Sequence, residues 1–174
     1  MSGLRVLTLC TGNVCRSPAA AVILRRGLDK AGLGDRIEVG SAGTSWASEG
    51  EPMDERIVLS LERAGYSQPF DHIARTAHQS EMAQWDLVLP MTREHAEVVR
   101  RQADQLPESC TRPVVALWRQ FDPAAPVSAR EEEIGVPDPW YSGQRAFDRT
   151  VLLMERSVPS LVMYLRGMLA EREA

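Results

Sequence analysis

The sequence is poor in cysteine and lysine, and it has no long apolar run. Three cysteines in 174 residues are an odd number, without the spacing of a disulfide framework or a zinc ribbon. No apolar stretch approaches the roughly 20 residues that a membrane helix needs, and the apolar run at residues 4–9 is too short for a secretory signal. These absences predict a cytoplasmic protein without a membrane segment, in which a cysteine is free to react.

Basic charge is also limited. The formal net charge is −4, and Lys30 is the one lysine beside many arginines. A nucleic-acid or membrane surface would favour a basic face, so we expect neither as a partner. A chain of 174 residues with 25% charged residues fits one globular domain spanning residues 1–174, and a monomer is the default expectation.

Predicted strands alternate with predicted helices along the chain. The strands are expected at residues 4–9, 37–39, 86–91 and 113–117, and the helices near residues 17–32, 54–65, 92–101 and from 142 onward. Ser17 is the predicted N-cap of the first helix, with Pro18 at its first position. Pro159 lies inside the last helix and is expected to kink or divide it. The alternation predicts an α/β fold with a parallel sheet and helices on both faces.

The loop after the first strand, residues 10–17, has the composition of an anion cradle. Curled backbone N–H groups and a helix N-terminus attract negative charge, and Gly12 and Asn13 tolerate left-handed backbone. Arg16 can bind two phosphate oxygens at once. Cys10 would then be a thiolate that attacks phosphorus, with Ser17 placed to bond it. The alternative is a buried cysteine beside an ordinary helix cap.

Hydrolysis of a phosphate ester also needs a proton donor for the leaving group. Two Asp-Pro pairs, at Asp122 and Asp138, are candidates, although an ordinary turn is the alternative for each. Asp138 is favoured because prolines flank it on both sides and because Trp140 and Tyr141 follow, which can form an aromatic wall for a flat substrate ring.

Five motifs, in order along the chain, resemble those of the low-molecular-weight protein tyrosine phosphatases. They occupy residues 10–18, 41–44, 50–54, 72–75 and 138–141. The resemblance implies a single-domain, four-stranded parallel sheet with a phosphate-binding loop after strand one. It implies Cys10 as nucleophile, Arg16 as phosphate binder and Asp138 as general acid and then general base. It also implies tyrosine-phosphorylated proteins as partners, with no cofactor and no metal.

The resemblance extends to residues around the implied nucleophile, phosphate binder and general acid. The remaining loop positions are implied to bind phosphate, and Ser41 and His72 to belong to a hydrogen-bond network that shapes the loop. Cys15 matches a second cysteine that can form a reversible disulfide with the nucleophile. Trp46, Trp140 and Tyr141 are implied to line the substrate cleft, although Trp46 lies one place earlier than the family's aromatic residue. The implied phosphate-binding positions are Thr11, Gly12, Asn13, Val14, Cys15 and Ser17.

Other activities remain open alternatives on this scaffold. Arsenate reductases share the opening Cys-Thr-Gly-Asn-x-Cys-Arg-Ser but need further cysteines, and only Cys15 and Cys110 remain here. Protein-arginine phosphatases carry threonine where this chain has Val14. A phosphocarrier would need the cysteine but not the acid at Asp138. The sequence therefore favours phosphotyrosine as the substrate.

Overall fold

A computed structural model describes residues 3–174, and it contains a four-stranded parallel sheet with four α-helices. The sheet has the order β2-β1-β3-β4, so the α/β class and the four parallel strands that were expected are confirmed. The strands are β1 (Leu4–Cys10), β2 (Ile37–Gly43), β3 (Leu87–Pro90) and β4 (Val114–Val115). The helices are α1 (Arg16–Lys30), α2 (Glu55–Arg63), α3 (Arg93–Asp104) and α4 (Gln144–Glu173).

Helices cover both faces of the sheet because β1 is apolar on both sides. Leu4 and Val6 join the core formed with α1, α2 and α4, whereas Leu7 and Leu9 join a second core formed with α3 and a 3-10 helix, Gln79–Gln84. β1 pairs with β2 on one side and β3 on the other, so strand order reverses at β1. Ligands of such sheets bind at the carboxyl end of the strand where the order reverses.

The helical periodicity read from the sequence corresponds to buried faces. In α4, Phe147, Val151, Met154, Leu161 and Leu165 are buried, and Val158 packs partly buried against the same core. Although α4 is 30 residues long, no helix within residues 3–174 is both long and apolar enough to cross a membrane.

Pro159 does not divide α4, contrary to the expectation that it could. The helix is continuous through it, and Pro159 lies on the exposed side. The carbonyl of Glu155 loses the N–H donor that another residue would supply. Because residues four apart share a helix side, that carbonyl lies toward solvent, where water can replace the missing bond.

The predicted start of α1 is wrong by two positions. The helix begins at Arg16, Cys15 occupies the cap position, and Ser17 lies inside the first turn. The hydroxyl of Ser17 bonds Cys10 and the carbonyl of Ala42 instead of capping the helix. Pro18 still fits the first turn, where its missing N–H costs no intrahelical bond.

β4 is shorter than the five residues predicted. Only Val114 and Val115 pair with β3. Pro113 has no N–H to donate, and a 3-10 helix, Trp118–Phe121, turns the chain away soon after.

Candidate active site

The loop after β1 forms the floor of a cavity of about 180 Å³ at the carboxyl edge of the sheet. Cys10, the last residue of β1, is only 3% exposed. The structure brings Cys10, Arg16 and Asp138 together in this one cavity, here called the Cys10 cavity. Its other lining residues are Thr11, Gly12, Val14, Cys15, Ser48, Trp140 and Tyr141.

Asn13 is the hydrogen-bonding centre of the loop. Its Nδ2 donates to Ser17 Oγ at 2.9 Å and to Ser41 Oγ at 3.0 Å. Its Oδ1 accepts from the backbone N–H of Arg75 at 2.9 Å. Its carbonyl lies 2.6 Å from Nε2 of His72, which must carry the proton because a carbonyl oxygen only accepts. A single buried side chain thus joins the loop to β2 and to the segment before the 3-10 helix.

The backbone of the loop is tightly curled. Asn13 adopts φ 57°, the left-handed conformation that Asn tolerates better than most residues. Gly12 is not left-handed, so the expectation is met at only one of the two positions. The loop also passes so close to Gly43 that a Cβ there would lie 2.5 Å from the carbonyl oxygen of Thr11, which excludes a side chain at that position.

The single hydroxyl proton of Ser17 has two possible acceptors. Ser17 Oγ lies 3.0 Å from Cys10 Sγ and 3.2 Å from the carbonyl oxygen of Ala42. When Cys10 is a thiol, its own proton can be donated to Ser17. When Cys10 is a thiolate, the Ser17 hydroxyl can turn to donate to sulfur, since a charged acceptor forms the stronger bond.

Arg16 is fixed on the opposite wall of the cavity. Its Nη1 donates to the carbonyl of Val136 at 3.0 Å, and its Nη2 lies 3.4 Å from Oδ2 of Asp138. The Arg16 side chain is 6% exposed and that of Asp138 is 51% exposed. A buried, pre-oriented guanidinium therefore faces a half-exposed carboxylate, whose Oδ1 also accepts from the backbone N–H of Trp140 at 3.1 Å.

Cys15 has a different environment from Cys10. It is 5% exposed at the start of α1. Burial, together with the nearby Cys10, raises the pKa of the Cys15 thiol, so this cysteine is protonated at neutral pH.

The two Asp-Pro candidates differ sharply in position. Asp122 is buried and bonds Arg156 at 2.6 and 2.7 Å and Arg119 at 3.1 Å. The Arg156 guanidinium, with further bonds from Ala124 and Arg119, lowers the pKa of Asp122 to about 2. Only Asp138 lines the Cys10 cavity. Asp122 therefore has a structural environment, whereas Asp138 lies beside Arg16 in the cavity that contains Cys10.

Replacing Asp122 with asparagine is expected to lower the free energy of unfolding by about 2 kcal/mol at neutral pH. The carboxylate has a lower pKa in the folded chain than its usual value of about 4, so its stabilisation is present above that pH and is lost as pH falls toward about 2. Urea unfolding of both proteins should show a difference that disappears in acid. An equal difference at all pH values would contradict the ionic origin.

The aromatic residues are only partly as expected. Trp140 and Tyr141 line the Cys10 cavity and are 39% and 96% exposed. Trp46 is 77% exposed and is not among the lining residues, so its place in the substrate cleft stays a prediction. The turn closed by the bond from Glu49 N–H to the Trp46 carbonyl brings Ser48, not Trp46, to the cavity wall.

Ser41 and His72 do not line the Cys10 cavity. They line a separate cavity of about 550 Å³ behind the loop, together with residues of α1 and of the segment at 65–72. Burial and the charge of Arg25 lower the pKa of His72 despite its bond to Asn13. These two residues therefore contact the loop from behind, through Asn13.

His95 is a site residue that the sequence analysis missed. Its Nε2 lies 2.8 Å from Thr11 Oγ1 and its Nδ1 lies 3.0 Å from Thr92 Oγ1. It is 6% exposed, and burial with the nearby charge of Arg16 lowers its pKa to about 4. The available signal was its position in the first turn of the helix after β3, whose carboxyl end adjoins that of β1.

His95 should make the folded state sensitive to mild acid. Between about pH 6.5 and about pH 4, His95 is protonated in the unfolded chain but not in the folded chain. The free energy of unfolding therefore decreases by up to about 3 kcal/mol as the pH is lowered across this window. His95→Asn should flatten the slope in urea unfolding, leaving the smaller share of His72. His78→Asn, at an exposed histidine, is the matched control. An unchanged slope in His95→Asn would exclude this origin.

Comparison with known proteins adds a family to this geometry. The sequence profile described as "Low molecular weight phosphotyrosine protein phosphatase" matches residues 5–171. The chain is 36% identical over 170 residues to a low molecular weight protein-tyrosine-phosphatase of Streptomyces coelicolor, covering 98% of both chains. It is 35% identical over 158 residues to low molecular weight protein-tyrosine phosphatase A of Mycobacterium tuberculosis, covering 91% of this chain and 89% of that one.

Solved structures share the architecture. A protein tyrosine phosphatase from Entamoeba histolytica superposes with a TM-score of 0.82 at 25% identity, over 95% of this chain and 98% of that one. A low molecular weight phosphotyrosine phosphatase from Vibrio cholerae gives 0.76 at 30% identity, over 95% and 99%. From the profile match, the identities and the shared fold, the chain belongs to the low molecular weight phosphotyrosine protein phosphatase family.

Proposed function

We propose that the chain is a protein tyrosine phosphatase that hydrolyses phosphotyrosine in proteins through a phosphocysteine intermediate. The observation that carries the proposal is the convergence of the Cys10 thiol, the Arg16 guanidinium and the Asp138 carboxyl group on one small cavity. These groups supply a nucleophile, a binder of phosphate oxygens and a proton donor, which together suffice for ester hydrolysis.

In the first step, the Cys10 thiolate attacks phosphorus and the bond from phosphorus to the tyrosine oxygen breaks. The guanidinium of Arg16 and the backbone of residues 11–15 surround the phosphate and stabilise its charge, whereas Ser17 is fully buried and contacts the sulfur of Cys10 instead. Protonated Asp138 gives its proton to the departing phenolate oxygen. Phosphate displaces Oδ2 of Asp138 from Arg16, and this oxygen of the half-exposed carboxyl group can then reach the leaving oxygen while Oδ1 keeps its bond from the Trp140 N–H.

In the second step, water attacks the phosphocysteine and Asp138 accepts a proton from it. The bond between phosphorus and sulfur breaks, inorganic phosphate leaves, and sulfur departs as a thiolate. The hydroxyl of Ser17, whose Oγ lies 3.0 Å from Sγ, donates a hydrogen bond to that thiolate and so stabilises the leaving group.

The cavity walls support a phenyl ring as the leaving group. Val14 is an aliphatic residue on the wall, and Trp140 and Tyr141 lie on the opposite rim. An apolar wall and an aromatic rim suit a flat ring, whereas the guanidino group of phosphoarginine would find no polar partner in Val14.

A relay of thiols, as in arsenate reduction, has no support from the positions of the cysteines. Cys110 packs against the core on the α3 face of the sheet, whereas Cys10 and Cys15 belong to the core on the α1 face. A cytoplasmic location is part of our proposal, because a reducing compartment keeps the Cys10 thiol free, and so is function as a monomer.

The test is phosphate release from a phosphotyrosine peptide and from a phosphoarginine peptide of the same sequence, with Cys10→Ser as the blank. We expect faster release from phosphotyrosine and none in the blank. Faster release from phosphoarginine would overturn the assignment of the substrate, and release that persists in the blank would overturn the mechanism.

A further inference from the structure

The Cys10 cavity adjoins a larger one of about 610 Å³, here called the flanking cavity. The two share Val14, Ser48 and Trp140 as common walls. The Cys10 cavity is small enough that a bound phosphotyrosine fills it with its ring and phosphate. The rest of the bound peptide must then extend out of the Cys10 cavity past the shared walls. The flanking cavity lies next to these walls and can receive it. Its other lining residues are Ala47, Glu51, Pro52, Met53, Asp54, Glu55 and Arg56.

The first wall of the flanking cavity is held by backbone hydrogen bonds. Gly50 N–H donates to the carbonyl of Ala74 at 2.9 Å, and Ala74 N–H donates to that of Glu51 at 2.8 Å. Asp54 N–H donates to the carbonyl of Val14 at 2.8 Å, which ties the same wall to the phosphate loop. The segment is therefore fixed relative to Cys10 before a ligand arrives, as a preformed subsite requires.

The second wall is held by Arg56. Its guanidinium lies over the ring of Trp140 at 4.8 Å and over that of Phe147 at 4.5 Å. It donates to the carbonyl of Trp140 at 2.8 Å and forms two bonds to the carboxylate of Asp54 at 2.9 and 3.0 Å. Arg56 therefore holds Trp140 in place and neutralises the charge of Asp54. Because these partners occupy its guanidinium, its charge does not balance the other carboxylates of the cavity.

Two carboxylates remain uncompensated in the cavity. Glu51 and Glu55 are exposed, and within residues 3–174 neither forms an ion pair, whereas the third acidic group of the cavity is paired with Arg56. Pro52 and buried Met53 lie between them in the wall. A negative cavity with an apolar floor suits the long stem and charged head of an arginine or lysine side chain.

We propose that the flanking cavity binds the polypeptide next to the phosphotyrosine and selects substrates with arginine or lysine close to it. This rests on the proposed function, and it assigns Glu51 and Glu55 as residues that determine substrate specificity.

The test compares two phosphotyrosine peptides that differ only in having arginines or glutamates two residues before and two after the phosphotyrosine. We expect kcat/KM to be about five-fold higher for the arginine peptide, from two partly exposed charge pairs. The preference should fall toward one in 1 M salt, where the Debye length is about 3 Å. The double variant Glu51→Gln with Glu55→Gln should lose most of it.

The matched control is the double variant Glu108→Gln with Glu171→Gln, which changes the net charge equally at two exposed sites outside the cavity. It should keep the full preference. The readout is the ratio of kcat/KM for the two peptides, so a common change in catalytic rate cancels.

Equal kcat/KM for the two peptides, or a preference that survives loss of both carboxylates, would overturn this inference while leaving the phosphatase assignment standing. Failure to hydrolyse either peptide or p-nitrophenyl phosphate would instead overturn the proposed function, and this inference with it.

Discussion

Replacing Cys10 with serine is expected to abolish turnover of phosphotyrosine, with kcat reduced by about 10⁴-fold or more. The serine hydroxyl would remain protonated beside Ser17, so the attacking anion is lost while the shape of the cavity is kept. Affinity for the substrate should persist, because Arg16 and the loop backbone that hold the phosphate are unchanged. Release of inorganic phosphate and peptide binding by calorimetry measure the two effects separately.

Cys110→Ser is the control for loss of a thiol as such. This cysteine is half-buried on the other face of the sheet, and its replacement should leave kcat close to wild type. Mass spectrometry of quenched wild-type enzyme should find phosphate attached to the peptide that contains Cys10. A phosphate adduct on another residue, or substantial turnover by Cys10→Ser, would contradict the assignment of the nucleophile.

Replacing Asp138 with asparagine is expected to lower kcat/KM for phosphotyrosine, which reports only the step that releases tyrosine, by about 10² to 10⁴-fold. The amide has no proton to give at neutral pH, so the leaving phenolate must depart unassisted. The loss should be much smaller for p-nitrophenyl phosphate, because p-nitrophenolate is a far weaker base than the phenolate of tyrosine, whose pKa is about 10. The dependence of kcat/KM on the basicity of the leaving group, across a series of aryl phosphates, measures the effect directly.

Asp104→Asn is the control for Asp138→Asn, since Asp104 is exposed at the end of α3 and lies outside the Cys10 cavity. An equal loss of kcat/KM for all leaving groups in Asp138→Asn would show that the residue positions Arg16 rather than donating a proton to the leaving oxygen. This distinction is necessary because Oδ2 of Asp138 lies only 3.4 Å from Nη2 of Arg16.

The fold was predictable where local patterns and burial agree. β1 is a short apolar run, and α1 and α4 carry apolar residues at helical spacing. The type and order of these elements therefore followed from periodicity. The errors lie where tertiary contacts override local preference. Ser17 is a good N-cap in isolation, yet its hydroxyl is taken by Cys10 and Ala42. Pro159 breaks helices in general, yet here it lies on the exposed side of a helix held by its buried face.

The residues of the site also differ in whether local sequence was enough to predict them. Cys10 and Arg16 are close in sequence, and their loop could be recognised from its composition alone. Asp138 was favoured from its flanking prolines and aromatic neighbours, although Asp122 also precedes a proline. The structure separates the two, since Asp122 is buried against Arg156 and Arg119. His95 and Ser48 belong to no motif and reach the site because β3 and β2 end beside β1. Such residues become visible only when the strand order is known.

The bonding of Asn13 has a consequence for the order in which the chain folds. Its partners at Ser41, His72 and Arg75 lie 28, 59 and 62 residues away along the chain, and contacts so distant in sequence form late because large loops must close first. β1 and α1 can therefore form while the loop between them is still uncurled. During refolding, recovery of catalysis should lag behind recovery of helical circular dichroism. In that interval Cys10 is more accessible to oxidants and alkylating reagents than in the folded protein, where it is 3% exposed.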